Sequence, residues 1–281
     1  MHQLIEHVVA CYYPRHANLS GEARAAALFG EIVEANARLA ASWMAAGFVH
    51  GVLNTDNLNI TGESFDYGPW RFLPTSQPGF TAAYFDQTGL YAFGRQPEAV
   101  SWALAQLGGA LTLVCSQSAL EAGLARYGPN YQTHLRNAVF RRLDLSRGDA
   151  EADIDFMAKM FAWLTESQVG WDQFFHDWLG GGASLLRAMA SPQAQRYAEA
   201  AFTPIREGLE ARTNSDAPAR LVHAYFQRPT PTSLAIDEVE TLWAPIAERD
   251  DWSPFEAKLN AIGELREALG ASCHGPVVKA D

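Results

Sequence analysis

A long apolar stripe near the start of the chain most constrains what it can fold into. Between Ser20 and Ala46, apolar side chains recur at steps of three and four residues, at Leu28, Ile32, Ala35, Leu39, Trp43 and Ala46. Such steps place side chains on one face of an α-helix. Gly47 follows, and glycine readily adopts the left-handed conformation in which many helices end. The stripe therefore predicts one long amphipathic helix that ends at Gly47.

The composition changes after Gly47. Phe48–Ile60 mixes β-branched and aromatic residues with Asn, Thr and Asp, which favours short strands and a polar loop over helix. Beyond it, helical spacing returns over Asn130–Leu143, Ala150–Thr165 and Ala194–Leu209. We therefore expect a mainly α chain (α+β) that carries one short β-rich loop.

Three sequence signals predict where further helices begin. They are Pro97 followed by Glu98, the pair Ser191-Pro192, and Ser253-Pro254-Phe255-Glu256, which has the pattern of a capping box. Proline and threonine cluster at residues 228–233, which is the best candidate for a linker. A sub-boundary is therefore predicted there.

Charge and apolar content narrow the classes of partner. A formal net charge of −11 and a pI near 5.2 argue against nucleic acid, which requires clustered Lys and Arg. No apolar run reaches the roughly 18 residues that a membrane span needs, and Met1–His7 lacks the features of a secretory signal peptide. We therefore expect a cytoplasmic protein without a membrane partner. Cys11, Cys115 and Cys273 are too few and too far apart to indicate a disulfide framework or a zinc site.

One polar stretch has the outline of a nucleotide and magnesium site. It reads His50-Gly51-Val52-Leu53-Asn54-Thr55-Asp56-Asn57, and Asp66-Tyr67-Gly68-Pro69 follows. Protein kinases place a catalytic aspartate two residues after a loop histidine, a metal-binding asparagine five residues later, and a second metal-binding aspartate in D-F-G. Asn57 and Asp66 match the two metal positions. Val52 occupies the aspartate position, and a carboxylate stands instead at Asp56.

The chemistry of phosphate transfer assigns roles to these three residues. Magnesium prefers oxygen ligands, which the Asn57 amide and the Asp66 carboxylate offer. If the loop is extended, neighbouring side chains point to opposite sides, so Asp56 turns away from the metal and serves as the general base. The alternative is that Asn54–Asn57 forms an ordinary turn without a catalytic role, in which the side chains hydrogen-bond to their own backbone.

These motifs resemble the SelO family, also called YdiU or selenoprotein O. The similarity covers about residues 39–107, with further support from Phe65-Asp66-Tyr67-Gly68-Pro69 and from the segment Asp86–Glu98. The resemblance implies a protein-kinase-like fold that transfers AMP from ATP to Ser, Thr or Tyr hydroxyls of client proteins. It also implies Asp56 as base, Asn57 and Asp66 as ligands of Mg²⁺ or Mn²⁺, and Asp66 near the nucleotide.

The chain departs from that family in what precedes the loop histidine. Members carry an N-terminal lobe with a glycine-rich loop, an ATP-contacting Lys and phosphate-binding Arg residues, whereas only 49 residues, without Lys, precede His50 here. Residues 1–281 are therefore expected to form a kinase-like C-terminal lobe alone, with ATP as substrate and a separate N-lobe partner. Many members also carry a Cys after D-Y-G-P, where this chain has Gly79–Ala82, and Cys273 stands where the family often keeps Cys or selenocysteine.

Two alternatives to an adenylyltransferase stay open. A lobe without cationic phosphate contacts can be a catalytically incompetent, pseudokinase-like remnant or binding module. A small-molecule phosphotransferase of kinase fold is the other, although such enzymes normally keep aspartate at the position of Val52.

Overall fold

The computed structural model describes residues 1–270, which form two compact units. The first comprises Met1–Leu73 and Gln77–Val139, and the second comprises Pro74–Ser76 and the chain from Phe140 on. The helices that begin in the first unit are α1 His2–Tyr12, α2 Gly21–Ala46, α3 Gln96–Leu111, α4 Gln117–Leu124 and α5 Tyr127–Leu143. Those of the second are α6 Ala150–Ser167, α7 Trp171–Asp177, α8 Leu185–Met189, α9 Ala194–Tyr197, α10 Thr203–Ala211, α11 Ala217–Arg220, α12 Ile236–Arg249 and α13 Ser253–Ala268. The prediction of a mainly α chain is confirmed.

Helix α2 is the centre of the first unit. It ends as predicted, because Gly47 adopts φ 69° and its N–H donates to the carbonyl of Met44. The helix is buried on more of its surface than the predicted stripe, with Val33, Ala37 and Ala40 fully inaccessible. Helices α1, α3 and α4 all pack on it, and alanines on these extra faces allow the close approach.

The predicted β-rich segment contains very little regular strand. Strands β1 Phe48–Val49 and β2 Arg71–Phe72 pair antiparallel, with Phe48 opposite Phe72. Between them, an isolated antiparallel bridge joins Leu58 to Ser64. These short pairings close a polar loop over the end of α2.

Several helix boundaries differ from the prediction. The helix predicted over Ala194–Leu209 is interrupted at residues 198–202. There the buried Phe202 packs on Trp163, with 4.6 Å between the two ring centroids. Ser191-Pro192 forms a turn before α9 rather than a helix start. Tertiary packing of an aromatic ring thus overrides a continuous helical period.

The last helix begins at Ser253, as predicted, but the predicted capping box is wrong. Ser253 is the first residue of α13 rather than its N-cap, and its hydroxyl donates to Asp251 Oδ1 at 2.6 Å. The Ser253 N–H donates to the same oxygen at 3.1 Å. Asp251 therefore satisfies the start of this helix in place of the serine.

Aromatic side chains dominate the core of the second unit. Trp163, Trp178, Tyr197 and Phe202 are all buried, and their ring centroids lie 4.6–6.0 Å apart in five of the pairs. Residues 228–233 lie within this unit, so the sub-boundary proposed there stays a prediction. None of the helices within residues 1–270 combines the length and apolarity needed to traverse a bilayer.

Candidate functional site

A short hairpin brings Asn57 and Asp66 to the same end of the loop. The Phe65 N–H donates to the Asn57 carbonyl at 3.0 Å, and the Asn59 N–H donates to the Glu63 carbonyl at 2.9 Å. We call residues 57–66 the site hairpin. Its tight end needs Gly62, whose φ is +79° and whose added Cβ would lie 2.6 Å from the Ala35 carbonyl oxygen. The two predicted metal ligands are thus adjacent in space although nine positions apart in sequence.

The segment before the site hairpin is a turn, not the extended loop that we expected. Thr55–Asn57 forms one 3₁₀ turn, closed by the Asn57 N–H donating to the Asn54 carbonyl at 3.1 Å. Successive side chains of a 3₁₀ turn diverge by about 120°, because the turn contains three residues. Asp56 and Asn57 therefore still point apart, for a different reason from the predicted one. Asp56 is exposed, and no side chain within residues 1–270 forms a hydrogen bond or ion pair with its carboxylate.

The amide of Asn57 is oriented by the position where kinases carry their aspartate. Its Nδ2 donates to the Val52 carbonyl at 2.9 Å. That bond fixes which end of the amide is nitrogen and leaves Oδ1 as the atom it can offer to a ligand. Val52 thus contributes a backbone acceptor to the site, while its side chain lies beside Gly68.

His50 is buried beneath the hairpin and connects its two arms. Its Nδ1 accepts the Val52 N–H at 3.3 Å, so its Nε2 carries the proton and donates to Ser64 Oγ at 2.7 Å. The Ser64 hydroxyl can then donate to the carbonyl of Asn57 at 2.9 Å or of Asp66 at 3.1 Å. Burial lowers the pKa of His50, and hydrogen bonding to the Asp66 backbone opposes this effect. The neutral His50 ring therefore links both arms of the site hairpin through Ser64.

Gln96 anchors the start of this loop, and the sequence analysis missed it. Its side chain is fully buried; Oε1 accepts the His50 N–H at 2.8 Å and Nε2 donates to the Phe48 carbonyl at 2.9 Å. The available signal was an amide side chain at the start of helix α3, directly before Pro97. The loop and α3 are locked together by these two bonds.

A second loop packs beside the 3₁₀ turn through Tyr91. The Tyr91 hydroxyl donates to Asn54 Oδ1 at 2.5 Å, and burial, with the charges of Asp86 and Asp56, raises its pKa. Asp86 in turn accepts the N–H groups of Leu90 and Tyr91 at 2.9 and 2.8 Å. The segment Asp86–Glu98, noted in the sequence for its resemblance alone, therefore supports the turn that carries Asp56.

The available side-chain oxygens suit a cation that takes most of its ligands from water and phosphate. Asp66 Oδ1 accepts the Gly68 N–H at 2.9 Å, which leaves Oδ2 available, and Asn57 Oδ1 is available as well. Magnesium is commonly held by one or two protein oxygens together with substrate phosphates. Within residues 1–270 there is no cluster of three or more His, Cys, Asp or Glu that could hold a metal ion without such help. Cys273, considered for a redox role, lies outside the described residues.

Comparison with known proteins identifies the family. The family model described as Protein adenylyltransferase SelO matches residues 1–263. Curated relatives named protein nucleotidyltransferase YdiU are 37% identical over 92% of the chain in Synechococcus elongatus and 36% identical over 94% in Gloeobacter violaceus. The chain spans about half the length of these relatives, 55% in both cases. The chain belongs to the SelO family.

Proposed function

We propose that this chain carries the catalytic lobe of a protein adenylyltransferase, with a kinase-like C-terminal lobe architecture. It would transfer AMP from ATP to Ser, Thr or Tyr hydroxyls of client proteins with the help of Mg²⁺ or Mn²⁺. The observation that carries the proposal is the site hairpin of a SelO-family chain. It brings the backbones of Asn57 and Asp66 together and leaves one side-chain oxygen of each without a protein partner, and the exposed Asp56 directly precedes it.

Each of the three residues has one task in the proposed reaction. Asn57 and Asp66 would hold the metal, which when bound neutralises charge on the phosphate oxygens. Asp56 accepts the proton of the client hydroxyl. The hydroxyl oxygen forms a bond to the α-phosphorus, the bond from that phosphorus to the bridging oxygen breaks, and pyrophosphate leaves.

Val52 is compatible with this mechanism. A positioned general base contributes about 10²- to 10⁴-fold in rate, and metal binding and positioning provide much of the rest. The proposed base is displaced to Asp56, while both metal ligands are kept. The backbone of Val52 orients Asn57 and His50, so its position still serves the site.

The phosphate charge also needs cations from outside the hairpin. Residues 50–70 contain no Lys or Arg. We propose that a partner lobe supplies them, either as a separate polypeptide or as part of a longer chain. ATP alone should therefore bind this chain weakly, and addition of the partner lobe should strengthen binding.

Labelled ATP tests the proposal directly. The chain is incubated with Mg²⁺, a generic acceptor such as casein, and ATP labelled at either the α or the γ phosphorus. Incorporation from the α label alone supports AMP transfer, and Asp56→Asn should lower it by about 10²- to 10⁴-fold, whereas the matched surface variant Asp155→Asn should not lower it. Incorporation from the γ label alone would instead indicate a phosphotransferase.

Thermal unfolding separates an enzyme from a binding module. A ligand that binds the folded state raises the melting temperature. ATP with Mg²⁺ should raise the melting temperature of the wild type but not the melting temperature of Asp66→Ala. If neither label is incorporated and no such rise occurs, even with the partner lobe present, the chain is a non-catalytic remnant.

A further inference from the structure

The 3₁₀ turn that carries the proposed base Asp56 is held at its C-terminal end by the site hairpin. There the Asn57 carbonyl accepts the Phe65 N–H at 3.0 Å, and Nδ2 of Asn57 donates to the Val52 carbonyl at 2.9 Å. Within residues 1–270 the Asp56 side chain has no hydrogen-bond partner of its own. The position of Asp56 therefore depends also on what holds the other end of the turn, at Asn54.

Asn54 does not use its side chain in the way that its place in the turn favours. An asparagine that precedes a helical turn usually accepts a hydrogen bond from a backbone N–H of that turn. Asn54 occupies this position, but its side chain caps nothing. Its Oδ1 instead accepts the hydroxyl of Tyr91, 37 positions later, at 2.5 Å. Departures from local rules of this kind are expected at functional sites.

Tyr91 is itself firmly held. Its ring packs against the hydrophobic core of the first unit. Its N–H donates to Asp86 Oδ2 at 2.8 Å, and the Leu90 N–H donates to Oδ1 of the same carboxylate at 2.9 Å. Burial is the main cause of the raised pKa of Tyr91, and the charges of Asp86 and Asp56 add to it. The phenol therefore stays protonated near neutral pH and offers Asn54 a fixed donor.

We propose that Tyr91 is a positioning residue for Asp56 and acts through Asn54. The inference rests on the proposed function, because it requires that Asp56 accepts the proton of the client hydroxyl. With Asn54 held by Tyr91 and Asn57 held by the site hairpin, Asp56 lies between two fixed points. A catalytic group that is misplaced by about 1 Å can cost about 10²-fold in rate. Binding of metal and nucleotide should not need this contact, because the bonds that orient Asn57 and Asp66 do not include Tyr91.

A split between kcat and KM tests this role. Tyr91→Phe removes the hydroxyl and keeps the ring, so the variant should fold. Its kcat for AMP incorporation should fall by about 10- to 100-fold, with the KM for ATP unchanged. Asn54→Ala should cause a similar loss. The matched control is Tyr84→Phe, because Tyr84 is 93% exposed and its hydroxyl has no hydrogen-bond partner within residues 1–270. An equal loss in Tyr84→Phe, or full activity in Tyr91→Phe, would overturn the proposal.

A double-mutant cycle separates positioning of the base from a general structural role. If Tyr91 acts through Asp56, then Tyr91→Phe should cause no further loss of kcat in a chain that already carries Asp56→Asn. A merely structural contribution would lower the rate by the same factor in both backgrounds. Additive losses would therefore contradict the proposal.

Amide hydrogen exchange tests the contact without any need for activity. The Asn57 N–H closes the turn by donating to the Asn54 carbonyl at 3.1 Å. It should exchange about two- to tenfold faster in Tyr91→Phe, which corresponds to the loss of one hydrogen bond, and at the wild-type rate in Tyr84→Phe. Unchanged exchange in Tyr91→Phe would overturn the inference whatever the activity. Faster exchange together with no label incorporation by the wild type would contradict the proposed function instead.

Discussion

The two units use their polar side chains in opposite ways. In the first unit, Asp56, Asn57 and Asp66 have side-chain oxygens without a protein partner, while buried His50 and Gln96 form hydrogen bonds that hold the loop carrying those three residues. In the second unit, one group of polar side chains points inward, and its members bond to one another. Asp177, for example, is 1% exposed and accepts hydrogen bonds from Tyr197 at 2.9 Å and Gln173 at 2.8 Å.

This difference shows that burial of polar groups does not by itself mark a functional site. Burial raises the pKa of Asp177, and hydrogen bonds from Ser191, Gln173 and Tyr197 oppose that rise. Its acceptors are occupied, so it acts as part of the core. The candidate site in the first unit differs in that it has unoccupied oxygens at the surface, which buried side chains hold in place.

The largest expected effect comes from removing a proposed metal ligand. Asp66→Ala should lower AMP incorporation by at least about 10³-fold, because the charge stabilisation that a bound metal provides is worth several kcal/mol. Asp66 is exposed, so the melting temperature without ligand should change little. Label incorporation and thermal unfolding measure the two quantities, with Asp155→Ala as the control. Retained activity in Asp66→Ala would remove Asp66 from the site.

Removal of a core aromatic side chain in the second unit should do the reverse and lower stability. Trp178 is fully buried among Tyr197 and Phe202. Trp178→Ala should lower the free energy of unfolding by about 3–5 kcal/mol through the cavity it leaves. Trp243→Ala, at a site that is 60% exposed, should change it by less than about 0.5 kcal/mol. Urea unfolding measures both values, and similar losses in the two variants would contradict the assigned core.

Gln96→Leu should affect stability and activity together. It leaves the His50 N–H and the Phe48 carbonyl without their partner in a buried place. Each orphaned group costs about 1–3 kcal/mol, so the loss of unfolding free energy should be roughly 2–4 kcal/mol. AMP incorporation should fall as well, because His50 holds the site hairpin. Gln117→Leu, at the exposed start of α4, is the control. A loss of stability in Gln96→Leu without any loss of activity would show that the two hydrogen bonds of Gln96 are purely structural.

The smallest effect concerns the acid sensitivity of the second unit. Burial lowers the pKa of His176, and the positive charges of Arg187 and Arg228 lower it further. The hydrogen bond to the Arg228 carbonyl acts in the opposite direction and raises the pKa. A histidine whose pKa is lower in the folded state stabilises the fold above its unfolded pKa of about 6.5, and this stability is lost as the pH falls. In His176→Gln the melting temperature should therefore decline less between pH 7 and pH 5 than in the wild type. An unchanged slope would show that His176 does not contribute to the acid sensitivity.

Local patterns were sufficient for much of the fold and for the family. The apolar period predicted helix α2 and its end at Gly47, because helical spacing is a property of neighbouring residues. The spacing of His50, Asn57 and Asp66 indicated a SelO-like site, and the family is confirmed. The roles of Asp56, Asn57 and Asp66 stay predictions. Local patterns failed where a distant group decided the outcome, as when Phe202 packed on Trp163 and interrupted a predicted helix.

The sequence by itself determined the helical class and the family, and it supplied the prediction that Asn57 and Asp66 hold a metal. Only the tertiary structure decided which atoms of those residues remain available. Asn57 Oδ1 is available because its Nδ2 is held by Val52, and the loop is fixed by Gln96, which lies 46 positions after His50. It also revealed that the side-chain oxygen of Asn36 is buried without a hydrogen-bond partner among residues 1–270. The physical reason is that hydrogen-bond partners are set by proximity in space, which spacing along the chain does not encode.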